Sequence, residues 1–214
     1  MSDSLAHRYR DTPIHIVAIC GSLRGSRSYT RRALAVALDE VQRAGATIDL
    51  VDLAELELPL RHGSHDTDDH PGTVELRRRV VAADGVLLGS PEYHNSFSGA
   101  LKNCLDLLGE DELGGKIFGL LGVGGGESGA INTLGHLRHV VRGVGGWSLP
   151  AQVSIPNSSK SFSGDRLVEP RFEDRLRRFA RELVRFTRLY KIEPEFEASL
   201  MDVIDDSPDE RIGR

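Results

Sequence analysis

Residues 14–38 run Ile14-His-Ile-Val-Ala-Ile-Cys20, then Gly21-Ser-Leu-Arg-Gly-Ser-Arg-Ser-Tyr-Thr30, then Arg31-Arg-Ala-Leu-Ala-Val-Ala-Leu38. A short β-branched run stops at Gly21 and gives way to a hydroxyl-rich loop. Leu34, Ala37, Leu38 and Val41 then recur at the spacing of one buried helical face. A strand that empties into such a loop at a helix start makes an anion site. The first helical turn carries unpaired N–H groups and the positive end of the macrodipole. Ser22, Ser26, Ser28 and Thr30 add hydroxyl donors, Tyr29 lies among them, and Arg24 adds a full positive charge. The set suits a phosphate monoester dianion, although a Ser/Thr/Arg-rich turn can also be a plain capping segment. No Gly-Lys-Ser/Thr follows the glycine turn, and Gly-x-Gly-x-x-Gly is missing here too. A mononucleotide held by one terminal phosphate fits better than a triphosphate or a dinucleotide.

The same strand–loop–helix grammar repeats along the chain. Ala46 to Leu53 alternates as a second strand, Thr73 to Ala83 is helical, and Val86-Leu87-Leu88 lies in a short buried strand from Gly85 to Gly89. Ser90 to Ser98 forms a loop before a helix from Gly99 to Leu108. Lys116 to Val123 is another apolar strand, followed by a glycine-dense loop and a helix carrying Leu134, Leu137, Val140 and Val141. Ala151 to Ile155 reads as the last strand, and Arg171 to Ile192 as a long terminal helix. Short apolar strands alternating with helices predict an α/β fold, a doubly wound five-stranded parallel sheet with helices on both faces. Residues 13–192 form this one domain, between a flexible N-terminal segment (1–12) and an acidic C-terminal tail (193–214). Loops after strands one, three and four open on one edge of such a sheet, so they imply one site.

Bulk properties narrow the function. The 214 residues are 39% hydrophobic and 28% charged, ordinary for a globular chain with a full core. A net charge of -5 argues against general nucleic-acid binding. Cys20 and Cys104 sit in apolar patterns and read as buried thiols of a reducing compartment. No signal-like or membrane-spanning apolar run is visible, so a cytoplasmic protein is expected. His62, His65, Asp66, Asp68, Asp69 and His70 crowd one polar loop, but their spacing matches no familiar ligand set, and no metal is assigned. Arg77, Arg78 and Arg79 read as a solvated helix face.

The second loop offers Pro91, Glu92, Tyr93, His94, Asn95 and Ser96, with Pro91 stiffening a turn and Tyr93, His94 and Asn95 suited to a flat heteroaromatic ring. The third offers Gly124, Gly125, Gly126, Glu127 and Ser128, where glycine lets backbone approach a planar ligand. Gly124, Gly126 and Gly129 satisfy a dinucleotide pattern. They follow the fourth strand rather than the first, and no acid lies about twenty residues on to hold a ribose. His136 and His139 lie three apart on a helix, where a core or surface role outweighs metal binding. No nucleophile–base pair is apparent and no catalytic residue is assigned, so the chemistry would come from a cofactor.

Gly21-Ser-Leu-Arg24 with its hydroxyls, Ser90-Pro-Glu-Tyr93, Gly99-Ala-Leu-Lys-Asn-Cys-Leu-Asp106 and the glycine loop before Leu137-Arg138 resemble the NAD(P)H-dependent FMN reductase family. That family has the flavodoxin-like fold and includes quinone, azo-dye and chromate reductases. The resemblance covers Ile14 to Phe186. It implies FMN, with the phosphate at Ser22, Arg24, Ser28 and Thr30 and the isoalloxazine against Pro91 to Ser96 and Gly124 to Ser128. NADPH or NADH would be the electron donor, a quinone or free flavin the acceptor, and a homodimer or homotetramer the assembly. Two departures stand out. The family's Tyr-Asn-His order is Tyr93-His94-Asn95 here, and the first loop is one residue longer between Arg24 and Ser28, so Ser26 and Ser28 compete for one role. An FMN electron carrier that does not oxidise NAD(P)H, or a ligand-free scaffold of the same shape, are the alternatives.

Overall fold

β1 (Ile14–Cys20) lies between β2 (Ala46–Asp52) and β3 (Gly85–Tyr93), paired in parallel with both. In this computed structural model, which describes residues 7, 9–63 and 65–205 with side chains to residue 192, β3 also pairs in parallel with β5 (Ile117–Val123). Two short strands, β6 (Trp147–Ser148) and β7 (Val153–Ile155), complete the far edge on β5. The order β2-β1-β3-β5-β6/β7 is the doubly wound, flavodoxin-like order, as expected from the strand–helix alternation. All seven residues of β5 are buried, which is why it reads as an apolar run rather than an alternator.

The helices divide between two faces. α1 (Tyr29–Arg43) and α7 (Pro170–Asp205) cover one, packing Leu34, Leu38, Leu176, Phe179 and Leu183 against Ile16, Ala18, Leu87 and Leu121. α2 (Pro71–Val81), α3 (Gly99–Asp106) and α5 (Ile131–Gly143) cover the other, with the short α4 (Glu110–Leu113) between them. There Leu76, Leu101, Leu134 and Leu137 meet Val17, Ile19, Leu88 and Leu120. Each such fully buried aliphatic side chain contributes about 1.5–3 kcal/mol of transfer free energy. β5 is followed by α5 and, after β7, by the single-turn α6 (Ser158–Ser161) and a hairpin of β8 (Phe162–Ser163) and β9 (Arg166–Leu167).

Several expectations need revising. The last strand begins at Val153 rather than Ala151, and a separate short strand, β6, precedes it with Pro150, which cannot donate to a ladder, between the two. The Leu149–Gln152 detour is held by Arg138, whose guanidinium donates to Gln152 Oε1 (2.8 Å), Ser148 Oγ (3.1 Å) and the Pro150 carbonyl (3.0 Å). The arginine run is not a free wet face: Arg79 makes a bidentate ion pair with Asp49 of β2, and Arg77 donates to the Leu107 carbonyl (3.1 Å) and Asp68 (2.8 Å). Arg61 also pairs with Asp68 (3.1 Å), and His70 accepts from Gly72 N–H as the N-cap of α2. The His/Asp segment is therefore braced to α2. α7 runs past Ile192 and through Pro194 to Asp205. A proline removes one helical hydrogen bond, and the Glu, Ala, Leu and Met residues that follow favour helix. Residues 1–6 and 206–214, parts of the N-terminal segment and acidic tail, lie outside the described residues. Thr12 and Pro13 offer carbonyls to Arg188 (3.2 Å) and Lys191 (3.0 Å) of α7.

α7 is clamped to α1 by charge. Glu40, nearly buried on α1, accepts from Arg181 (2.5 Å) and Arg177 (3.0 Å), and Arg177 also reaches Asp39 (2.9 Å). The Arg181 guanidinium, aided by Arg177, holds the Glu40 carboxyl below its ordinary 4.5. A depressed carboxylate stabilises the fold above its unfolded pKa and loses that contribution as pH falls through the folded value. Glu40→Gln should therefore lower stability in urea at neutral pH, with the difference from wild type shrinking on acidification below the ordinary 4.5 of a glutamate. A difference that persists unchanged in acid would exclude Glu40 as the titrating group.

Candidate FMN site

Three loops meet at the carboxyl edge of the sheet. The first leaves β1 at Gly21, and its backbone passes against β3: Gly21 N–H donates to the Gly89 carbonyl (2.7 Å). Ser98, N-cap of α3, donates its hydroxyl to the Gly21 carbonyl (2.6 Å) and accepts from Leu101 N–H (3.1 Å). Ser98 N–H in turn donates to Ser90 Oγ (3.0 Å). A Cβ on Gly21 would lie 2.8 Å from Leu101 Cβ and 3.1 Å from both the Gly89 carbonyl and Ser98 Oγ, so only glycine fits this crossing. Ser90 and Ser98, outside the expected site, tie the first loop to the second.

The first loop itself is a turn (Gly25–Arg27) ahead of α1. Ser28 is the N-cap, accepting from Arg31 N–H (3.1 Å), which leaves Tyr29 and Thr30 as first-turn amides without an intrahelical acceptor. Ser22, Ser28 and Thr30 are buried around this helix start, and Arg24 is exposed beside it. Arg31 is not available to a ligand: it ion-pairs with buried Asp52 (2.8 Å) and Glu55 (3.4 Å). Ser26 is exposed, and its carbonyl faces Arg32 (3.5 Å). Of the two competing serines, Ser28 is the one at the helix cap. Cys20 lies under the loop, and burial pushes its thiol up to about 11, so it stays protonated; burial pushes Cys104 up to about 12.

The second loop departs from its expected form. β3 continues to Tyr93 and pairs with β4 (Ser96–Phe97) as a tight hairpin, with Pro91 inside the strand opposite Val123. Pro91 lies beyond Gly89, the last β3 residue paired to β1, where a proline is tolerated. His94 and Asn95 form the two-residue turn, both in the left-handed region (φ 50° and 64°). That is the primed turn that follows strand twist, and Asn at its second position is one of the residues that adopts it. Tyr93, His94 and Asn95 are exposed. Glu92 instead points to α5, accepting from Thr133 N–H (3.0 Å) in the first turn, and Ser96 Oγ meets His136 Nδ1 at 3.0 Å. Glu92 and Ser96 thus dock the hairpin on α5.

The third loop exposes Gly125, Gly126, Glu127 and Ser128. Gly124 and Gly129 are packing glycines: a Cβ on either would collide, with the Gly129 carbonyl and Ser154 Oγ respectively. Gly124 N–H donates to the Ile155 carbonyl (2.9 Å) and Ser158 N–H to the Gly124 carbonyl (3.0 Å), anchoring the loop on β7 and α6. At Gly99, Gly125 and Gly126 an added Cβ would meet nothing within 4 Å. The edge therefore offers buried hydroxyls, helix amides and a guanidinium at one end and glycines with free space above them at Gly125 and Gly126, a set that fits a phosphate ester carrying a planar ring.

Residues 14–160 match the model of the NADPH-dependent FMN reductase family. The chain belongs to that family. It is 46% identical over 107 residues to an NADPH azoreductase of Bacillus sp. (strain OY1-2), covering 50% of this chain and 60% of that protein. It is 32% identical over 192 residues to the NADPH-dependent FMN reductase ArsH of Shigella flexneri, covering 87% of this chain and 72% of the relative. The structure of FerB, a flavoenzyme NAD(P)H:(acceptor) oxidoreductase of Paracoccus denitrificans, superposes with a TM-score of 0.71 at 20% identity, over 83% of this chain and 98% of that one. The family's cofactor and electron donor are FMN and NADPH, as the resemblance implied.

Gly21→Ala should cost about 1–3 kcal/mol of stability through overpacking at the β1–β3 crossing, measured by urea unfolding of the apoprotein. An unchanged midpoint would mean that the crossing is looser than described.

Proposed function

We propose that this family member is an FMN-dependent NAD(P)H oxidoreductase that reduces a small acceptor such as a quinone or a free flavin. The observation that carries the reading is the convergence of Ser22, Ser28, Thr30 and Arg24 on the start of α1, at the edge where the other two loops also open. FMN supplies the hydride and electron transfer when bound. The chain's part is to bind and orient. Ser22, Ser28, Thr30 and the first-turn amides take the phosphate, with Arg24 neutralising it. The Pro91–Ser96 hairpin and Gly124–Ser128 flank the ring, with Tyr93 (50% exposed) presenting an aromatic face. No side chain is assigned as an acid or base.

Purified protein mixed with FMN, desalted and titrated anaerobically with NADPH should retain flavin bands that bleach. Retained bands that neither NADPH nor NADH bleaches would overturn the reductase in favour of an electron carrier. Failure to retain flavin would remove the phosphate site. Arg24→Ala should weaken FMN binding about tenfold, the loss of one charge-assisted contact, and unchanged affinity would release Arg24 from this role.

The proposal includes a cytoplasmic homodimer or homotetramer. Both cysteines are free and buried, which suits a reducing compartment. Among the described residues no helix is long and apolar enough to cross a membrane. Leu23 and Leu60, 63% and 74% exposed, border an apolar cleft of about 460 Å³ with Leu56, Leu58 and Ala100. Exposed leucines so grouped suit a second copy of the chain. Sedimentation should give two or four chains, and Leu60→Asp should lower that mass; a single-chain wild type would remove this part.

A further inference from the structure

The tip of the loop assigned to the phosphate is closed only by backbone hydrogen bonds, Arg27 N–H to the Arg24 carbonyl (3.2 Å) and Ser28 N–H to the Gly25 carbonyl (3.0 Å). Its Gly25–Arg27 turn buries no side chain, and Gly25 sits at φ +54°. A brace from outside comes from residues 162–167, beyond the 14–160 segment that matches the family. β8 and β9 form a two-residue hairpin with Gly164 (φ +60°) at its tip, the position where such a turn requires glycine. Arg32, one turn into α1, bridges the two elements. It donates to the Gly164 carbonyl (3.0 Å) and the Ser26 carbonyl (3.5 Å), and ion-pairs with Asp165 (3.2 Å). Its guanidinium also lies over the Tyr29 ring, 5.4 Å from the centroid. Phe162 stacks on Tyr29 with centroids 5.3 Å apart at 24° between the planes. Arg24 lies over the same tyrosine at 6.0 Å, and its N–H donates to Ser22 Oγ (3.4 Å).

We propose that the Phe162–Leu167 hairpin, acting through Arg32 and Tyr29, is a clamp that holds the phosphate loop and Arg24 in their binding geometry. The inference rests on the FMN reading above. Arg32 and Phe162 are positioning residues: neither is required to touch the ligand, and their effect is to order the loop before binding. Affinity gained by ordering a loop in advance is lost when the brace is removed, even if every direct ligand contact is retained. Because the clamp acts on the phosphate end, its loss should spare a ligand that lacks the phosphate.

The test compares FMN and riboflavin binding to the apoprotein by flavin fluorescence quenching, with thermal unfolding of each apoprotein as the check on folding. Wild type should bind FMN more tightly than riboflavin. If it does not, the phosphate site itself fails and the clamp with it, an outcome separate from failure of the clamp alone. Arg32→Met keeps the side-chain length and removes the bridge; FMN affinity should fall about tenfold while riboflavin affinity stays unchanged. Phe162→Leu keeps apolar volume far from any charge and should weaken FMN about threefold, the scale of one lost aromatic pair. FMN affinity unchanged in both Arg32→Met and Phe162→Leu would overturn the clamp, as would an equal loss for FMN and riboflavin. Loss in Arg32→Met with none in a folded Phe162→Leu would overturn it too, by making Arg32 a direct phosphate ligand. If Phe162→Leu fails to fold, Asp165→Asn, which removes the hairpin's ion pair (3.2 Å) and leaves the Arg32 charge in place, takes its part: weaker FMN binding supports the clamp, and unchanged or tighter binding overturns it.

Discussion

The backbone contact between the ends of β1 and β3 is the constraint on which the candidate site depends. With Gly21 N–H on the Gly89 carbonyl and Ser98 closing on the Gly21 carbonyl, two loops that are some seventy residues apart leave the sheet as one surface. Parallel pairing makes this possible, because every strand then delivers its carboxyl end, and the following helix its amino end, to the same edge. The glycine is required by distance rather than by dihedral angle: the space a Cβ needs is already filled by Leu101 and Ser98.

Three helices lead from the three loops at that edge, and their electrostatics differ in a way that leaves one open to an anion. α3 is capped by Ser98 within the packed crossing, and α5 receives the Glu92 carboxylate, so its positive end is already answered by a negative charge. α1 has a neutral cap in Ser28, further buried hydroxyls in Ser22 and Thr30, and Arg24 beside it. Arg31, which would otherwise add a second charge in the first turn, is spent on Asp52 and Glu55. The helix start left open to an anion is thus set apart from the others by where the chain places its own carboxylates.

Away from the edge, charge is used for docking. Glu40 with Arg177 and Arg181 joins α1 to α7, Asp49 with Arg79 joins β2 to α2, and Asp68 collects Arg61 and Arg77. The first two link elements 30 or more residues apart and the third braces a loop to the helix beside it, so arginine-rich faces that look solvated in the one-dimensional pattern become joints of the fold. The hairpin at 162–167 follows the same logic, with Arg32 as the joint between it and the phosphate loop.

Local pattern alone determined the alternation of short buried strands with amphipathic helices, and so the sheet order class and the edge at which ligands bind; these follow from side-chain periodicity and the handedness of parallel connections, which are local properties. The anion character of residues 21–30 was legible for the same reason, since hydroxyls and an arginine at a helix start act within one turn. Tertiary structure decided which of those groups remain available. Glu92 reads as a ring contact but caps α5, Pro91 reads as a turn former but lies in a strand, and Tyr93-His94-Asn95-Ser96 reads as a loop but closes a hairpin whose left-handed φ values only its strand pairing reveals. The contacts of Ser90, Ser98, Arg32 and Phe162 could not be read, because their partners are 8 to 133 residues away and a hydrogen bond or ring stack leaves no trace in spacing. The sequence specifies what each residue can do; the packing decides which partner it meets.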